Sequence, residues 1–153
     1  ARGTGHNEMA RYSEDPIVWE RVLDRIKSKF DSNLHLLPKP MVEEQDSSIG
    51  IIGFGSTEPA IQEARDILLS EGYKTDFMRI RSLPFCEEVG NFIQKHTRNY
   101  VVELNRDGQM RQLLSMKFPE NAYSLIHTSH MDGMGLTARW IVDNILSKEK
   151  ELK

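Results

Sequence analysis

The densest run of chemistry-bearing residues is Arg2-Gly-Thr-Gly-His-Asn-Glu8, which brings a guanidinium, a hydroxyl, an imidazole, an amide and a carboxylate close together in sequence. Arg2 could pair with a carboxylate or phosphate, and His6 could move a proton near neutrality. Thr4, Asn7 and Glu8 complete the polar set, and the glycines would let a ligand approach the backbone. Read locally, the run has no hydrophobic period and is expected to be an exposed, poorly ordered tail. In a longer parent protein the same residues could line or adjoin a site. A second candidate is Glu103, at the carboxyl end of the β-prone stretch Tyr100 to Leu104 and just before Asn105, Asp107 and Gln109. Open α/β sheets keep their sites at that end of a strand. Glu103 could serve as a general base or grip a partner. It could also accept backbone N–H groups of its own loop, the usual role of a half-buried strand-end carboxylate and the preferred reading. Asn105, Asp107 and Gln109 are ordinary turn and helix-start residues.

The remaining motifs carry less chemistry. Gly53-Phe54-Gly55 follows a strand and precedes a helix, as a dinucleotide fingerprint would, but Glu58 stands where the third glycine belongs. A carboxylate there would repel pyrophosphate from the helix N-terminus. The second strand ends in Arg79 and Arg81 instead of a ribose-binding acid, so the glycines read as a tight turn, with Gly55 and Ser56 on the functional edge. His127 and His130 lie three apart on a strand end, with Asp132 the nearest carboxylate, which is too few ligands for a metal shell. Cys86 follows a Pro84-Phe85 turn and reads as structural. No Gly-x-Ser-x-Gly elbow or P-loop is present.

The elements that must position these groups alternate between strand and helix. Asp15-Pro16 starts a helix, and Trp19, Val22, Leu23, Ile26, Phe30, Leu34 and Leu37 predict that it continues for about six turns, until Pro38-Lys-Pro40 stops it. Met41 to Ser48 reads as a polar, acidic connector. Strands are predicted at Ile49 to Phe54, at Tyr73 to Ile80 nearer a sheet edge, at Tyr100 to Leu104, and at Tyr123 to His127. Helices follow from Glu58 until Gly72 ends the turn, around Val89, Phe92, Ile93 and His96, from Met110 with Leu113 and Leu114 inward, and from Leu136 to Leu146. This order predicts a three-layer α/β/α sandwich with a mostly parallel sheet, preceded by a helical arm. The loops 53–57, 79–85, 105–109 and 127–135 then converge on one edge.

The sequence has 153 residues, 39% hydrophobic and 28% charged, with a net charge of -3, which is ordinary for a soluble protein and gives no reason to expect nucleic acid. One cysteine excludes an internal disulfide and any iron–sulfur site built by this chain alone. No apolar run reaches the roughly 20 residues of a membrane helix, so no membrane is expected and the location reads as cytoplasmic. The opening residues lack an initiator Met and read as a cut through a longer polypeptide.

Taken in order, Arg2-Gly-Thr-Gly-His-Asn-Glu8, Tyr12-Ser-Glu-Asp-Pro16, Gly53-Phe-Gly-Ser56, Arg79-Ile-Arg-Ser-Leu-Pro-Phe85, Val101-Val-Glu-Leu-Asn-Arg-Asp-Gly-Gln109 and Asp132-Gly-Met-Gly-Leu-Thr-Ala-Arg139 resemble the α subunit of 2-oxoacid:ferredoxin oxidoreductases, especially the 2-oxoglutarate type. Gly135 departs from the family, which often has proline there. The resemblance implies that residues 1–47 are the tail of an upstream thiamine-pyrimidine domain with a long helix and linker, and residues 48–153 a transketolase C-terminal-like domain. It implies oxidative decarboxylation of a 2-oxoacid with CoA to acyl-CoA, carbon dioxide and reduced ferredoxin. Thiamine diphosphate, Mg and an iron–sulfur cluster would then sit mainly with a β subunit and with upstream parts of the α subunit. By this reading the chain is inactive alone and binds none of these groups. Its interface candidates are Gly55, Ser56, Glu103, Asn105, Asp107, Gln109 and Asp132. The competing expectations are a stand-alone nucleotide- or anion-binding domain using the Gly53–Thr57 turn, and an oligomerisation module.

Overall fold

The computed structural model describes residues 5–151. The chain divides into two compact units, the first running to Leu37 and the second beginning at Pro38. In the first, strands β1 (Gly5–His6) and β2 (Tyr12–Ser13) form an antiparallel hairpin, followed by helix α1 (Pro16–Ser32). Asp15 caps the helix as its sequence predicts: its Oδ1 accepts the Ile17 N–H at 2.8 Å, and Pro16 fills the first turn. The helix ends a turn earlier than its apolar stripe suggests. Asn33 leaves helical geometry and its Nδ2 donates to the Lys29 carbonyl at 2.7 Å, so Leu34 falls in a short 3-10 turn and Leu37 beyond it. No residue of α1 is buried.

The second unit holds a five-stranded sheet in the order β3-β5-β4-β6-β7: β3 (Met41–Glu43), β4 (Ile49–Phe54), β5 (Asp76–Ile80), β6 (Arg98–Glu103) and β7 (Leu125–Ser129). All neighbours are parallel except β3, which runs antiparallel to β5. The α/β sandwich expected from the alternating pattern is thus the observed fold. Strand alternation sorts the core into two layers. Ile49, Ile51, Phe77, Tyr100 and Val102 face helices α2 (Glu58–Ser70) and α5 (Ala138–Glu151). Ile52, Met78, Ile80 and Val101 face α3 (Glu87–Lys95) and α4 (Gln109–Lys117). Burying one such side chain fully contributes about 1.5–3 kcal/mol, so the two layers dominate the stability of this unit. Helix α2 ends in a Schellman motif, with Tyr73 N–H on the Leu68 carbonyl, Gly72 N–H on that of Leu69, and Gly72 at φ +87°.

Several local expectations change. Met41–Glu43, read as connector, is an edge strand paired with Phe77 to Arg79. It therefore covers β5, which lies second from the edge. β5 starts at Asp76 because the residues before it are tied to the connector: Gln45 Oε1 takes the Thr75 N–H, and Ser47 Oγ donates to the Lys74 carbonyl. The Asp76 carboxylate in turn accepts Gln45 and Ser47 N–H, His96 Nε2 and Lys95 Nζ at 2.7, 3.2, 3.0 and 3.2 Å. The centre of the sheet is β4, with β6 between it and β7. Leu113 points outward, while Met110 and Leu114 are buried. β7 begins at Leu125 because residues Pro119–Ser124 close a 3-10 turn that leaves Tyr123 in solvent. The last helix starts at Ala138 and runs on to Glu151.

Candidate functional site

Parallel pairing places the carboxyl ends of β5, β4, β6 and β7 along one edge of the sheet, as the alternating pattern requires. Glu103 closes β6 there with no solvent exposure. Its Oε1 accepts the Arg111 N–H at 2.9 Å, and its Oε2 accepts the Met110 N–H at 2.7 Å and Asn105 Nδ2 at 2.8 Å. The carboxylate therefore occupies the amino end of α4, where unpaired backbone donors and the helix dipole both favour an anion. Asn105 organises the loop from the other side. Its Oδ1 receives the N–H groups of Asp107, Gly108 and Gln109 at 3.2, 2.8 and 3.3 Å. Gly108 sits at φ +65°, and a Cβ there would come within 2.4 Å of His127, so the turn needs glycine twice over. Asp107 pairs outward with Arg106 at 2.6 Å, which holds its carboxyl below the usual range.

The turn after β4 is built for packing. A Cβ on Gly53 would meet Ile61 Cδ1 at 2.3 Å, so glycine lets α2 lie close against the strand. Thr57 turns inward to Phe54, Gly55 and Ser56 are exposed, and Glu58 pairs with Arg79 at 2.5 Å. In the loop after β7, Asp132 Oδ1 accepts the Met134 N–H at 2.8 Å and Oδ2 lies 3.0 Å from His130 Nε2. The Met134 N–H, then His130, hold the Asp132 carboxyl below its usual value against the opposing effect of burial. The His130 ring lies 4.5 Å from that of Trp140. Burial, with Glu88 beside it, pushes the Cys86 thiol up, away from reactive thiolate.

Of the predicted site residues, Gly55, Ser56, Glu103, Asn105, Asp107, Gln109 and Asp132 therefore share the carboxyl edge. His6, Asn7 and Glu8 belong to the first unit. His6 pairs in the hairpin with Tyr12, so this part of the expected tail is folded. Asn7 Oδ1 accepts the Met9 and Arg11 N–H groups at 3.0 Å, and Glu8 pairs with Arg21 at 3.1 Å. Arg2 and Thr4 lie outside the described residues. Residue patterns missed the Glu58–Arg79 pair, because Glu58 opens α2 and Arg79 lies near the end of β5, although each type was visible at its own loop. Among the described residues, no group of three His, Cys, Asp or Glu could hold a metal ion. No helix of the described residues is long and apolar enough to cross a membrane.

The edge and layers define a transketolase-type α/β fold. A split-gene transketolase superimposes with a TM-score of 0.60 at 19% identity, over 71% of this chain and 40% of that one. The likeness that extends into sequence is narrower. The chain is 30% identical over 118 residues to the alpha subunit of 2-oxoacid:ferredoxin oxidoreductase 2 from Aeropyrum pernix, matching 73% of this chain and 18% of the relative. The 2-oxoglutarate:ferredoxin oxidoreductase of Magnetococcus marinus, solved with 2-oxoglutarate, coenzyme A and succinyl-CoA bound, superimposes with a TM-score of 0.74 at 25% identity. That match covers 94% of this chain and 25% of that chain. No family model matches. The resemblance to 2-oxoacid:ferredoxin oxidoreductases seen in the ordered motifs is thus borne out in sequence and structure, while the chain spans less than a fifth of its curated relative.

Proposed function

We propose that this chain is part of the alpha subunit of a 2-oxoacid:ferredoxin oxidoreductase, acting on 2-oxoglutarate in the cytoplasm, and that it serves as an inter-domain and inter-subunit contact module. Within that subunit, residues 1–47 would be the end of a thiamine-pyrimidine domain with its helix and a linker whose Met41–Glu43 adds an edge strand to the following sheet, and residues 48–153 the transketolase C-terminal-like domain. The single observation that supports the assignment is the concurrence of a 30% identical alpha subunit with a structural match over nearly the whole chain. The parent enzyme would oxidatively decarboxylate its 2-oxoacid with CoA and pass electrons to ferredoxin, with a β subunit as partner.

The chemistry of the carboxyl edge fits the contact role better than a cofactor role. A diphosphate with its Mg needs free backbone donors and a metal-binding carboxylate set. Here Glu103 fills the amino end of α4, and the Thr137 hydroxyl accepts the Trp140 N–H at the start of α5. Glu58, in the first turn of α2, is paired with Arg79, and α3 opens with Glu87 and Glu88. These residues do not fit thiamine diphosphate, and the same occupancy argues against the nucleotide-binding alternative. Beside its paired polar groups the edge also presents apolar side chains: Leu83, Leu104, Met131 and Met134 stand exposed on three of its loops. Residues of this kind suit a protein surface brought against them.

The test is purification of the full-length parent from its own cells. The expected result is a co-purifying subunit carrying thiamine diphosphate and an iron–sulfur cluster, with turnover of 2-oxoglutarate above other 2-oxoacids. Absence of that subunit would overturn the assignment, and tight calorimetric binding of thiamine diphosphate to this chain alone would overturn the contact role.

A further inference from the structure

Strand β7 is one of the two sheet edges, and a parallel edge strand offers a row of backbone groups to any further strand. Backbone direction alternates along it. The His130 N–H reaches the Glu103 carbonyl of β6 at 2.9 Å, so residues 126, 128 and 130 face β6, and 125, 127 and 129 face away. Two of the outward carbonyls are taken by this chain's own side chains. Arg111 Nε, from α4 on one face of the sheet, donates to the Leu125 carbonyl at 2.9 Å. Lys148 Nζ, from α5 on the opposite face, donates to the His127 carbonyl. The Leu125 N–H is already spent on the Ala122 carbonyl. Burial pushes the Lys148 ammonium below the usual lysine range, a cost that the carbonyl contact offsets. The opposite edge is blunted differently: β3 has three residues and follows Pro38 and Pro40.

We propose that Arg111 and Lys148 close the β7 edge against strand addition, so that a second copy of this chain cannot pair its own β7 alongside. The two cations clamp the strand from both faces and consume successive outward carbonyls, which leaves an incoming strand too few acceptors to hold register. A partner reaching the carboxyl edge then docks on loops without extending the sheet. This inference does not depend on the proposed activity, because it concerns only the sheet and the helices flanking it.

The test compares the full chain with an Arg111→Met, Lys148→Met double variant, which keeps the apolar stems and removes both donors. Sedimentation velocity is expected to show self-association tightened about tenfold or more, as two further strand-to-strand hydrogen bonds become available. Hydrogen exchange at the outward His127 and Ser129 amides is expected to slow with protein concentration. Adding His127→Pro, which removes an outward donor without touching the ladder to β6, is expected to abolish both effects. Unchanged association of the double variant, or a gain that the proline leaves intact, would overturn the proposal. If the double variant does not fold, each single methionine variant is read in the same two assays, and no change in either would overturn it equally.

Discussion

Replacing Glu103 with Gln tests whether this strand-end carboxylate holds the loop or performs chemistry. The carboxylate serves three donors with two oxygens: Met110 N–H and Asn105 Nδ2 on Oε2, and Arg111 N–H on Oε1. A glutamine offers one acceptor oxygen. In its better orientation it keeps the two contacts of Oε2 and turns its amide NH2 toward the Arg111 N–H, donor against donor, in a site with no solvent exposure. One hydrogen bond to a charged acceptor is lost, worth about 1.5–3 kcal/mol, and the favourable charge at the amino end of α4 goes with it, worth about 0.3–1 kcal/mol. The expected destabilisation is therefore about 2–4 kcal/mol, read by urea unfolding of the chain. Exchange should accelerate at the Met110 and Arg111 amides before the rest of the sheet opens. A variant within about 0.5 kcal/mol of the parent chain would refute the reasoning from hydrogen bonds. In the full-length parent, impaired assembly is expected to precede any loss of turnover per assembled enzyme; normal assembly with lost turnover would restore the general-base reading.

Two further substitutions probe the frame around the edge. Asp76→Asn removes a buried charge that faces His96, Lys95 and the Gln45 and Ser47 N–H groups, and is expected to cost about 3–5 kcal/mol. Burial pushes this carboxyl up, but its donors outweigh burial and hold it below the usual range. Its contribution is then fully present above about pH 4 and lost as pH falls through the depressed folded value. The parent chain should weaken across that acid window, and the Asn variant should be flatter there; parallel acid profiles would refute the assignment. Gly53→Ala is expected to destabilise by about 1–3 kcal/mol, because the new Cβ would stand 2.3 Å from Ile61 Cδ1 and 3.0 Å from Thr57 Oγ1. A gain in melting temperature, as alanine gives where the backbone permits it, would contradict the packing account of this turn.

What was legible in the sequence, and what was not, follows from how local each interaction is. Ile49–Phe54 and Tyr100–Val102 were readable because strands buried on both faces must be continuous apolar runs. The role of Glu103 was readable because its donors all come from the loop and helix start that follow it. Met41–Glu43 was not, since a three-residue strand carries no period and its partner β5 lies far along the chain. The stripe of α1 misled through Leu34 and Leu37, which keep helical spacing after Asn33 has already taken the Lys29 carbonyl. Arg111 and Lys148 gave no signal at all, because each meets a backbone carbonyl, which every residue has. The same distinction bears on function. At the carboxyl edge Glu103, Asn105, Asp107 and Asp132 are each answered within their own loop or the helix it opens, and Glu58 by a neighbouring strand end. Polar groups so committed must give up a partner before they can bind or react, whereas exposed Leu104, Met131 and Met134 lose only water. An edge whose carboxylates are internally paired and whose exposed apolar side chains are not is the physical ground for proposing a contact face here.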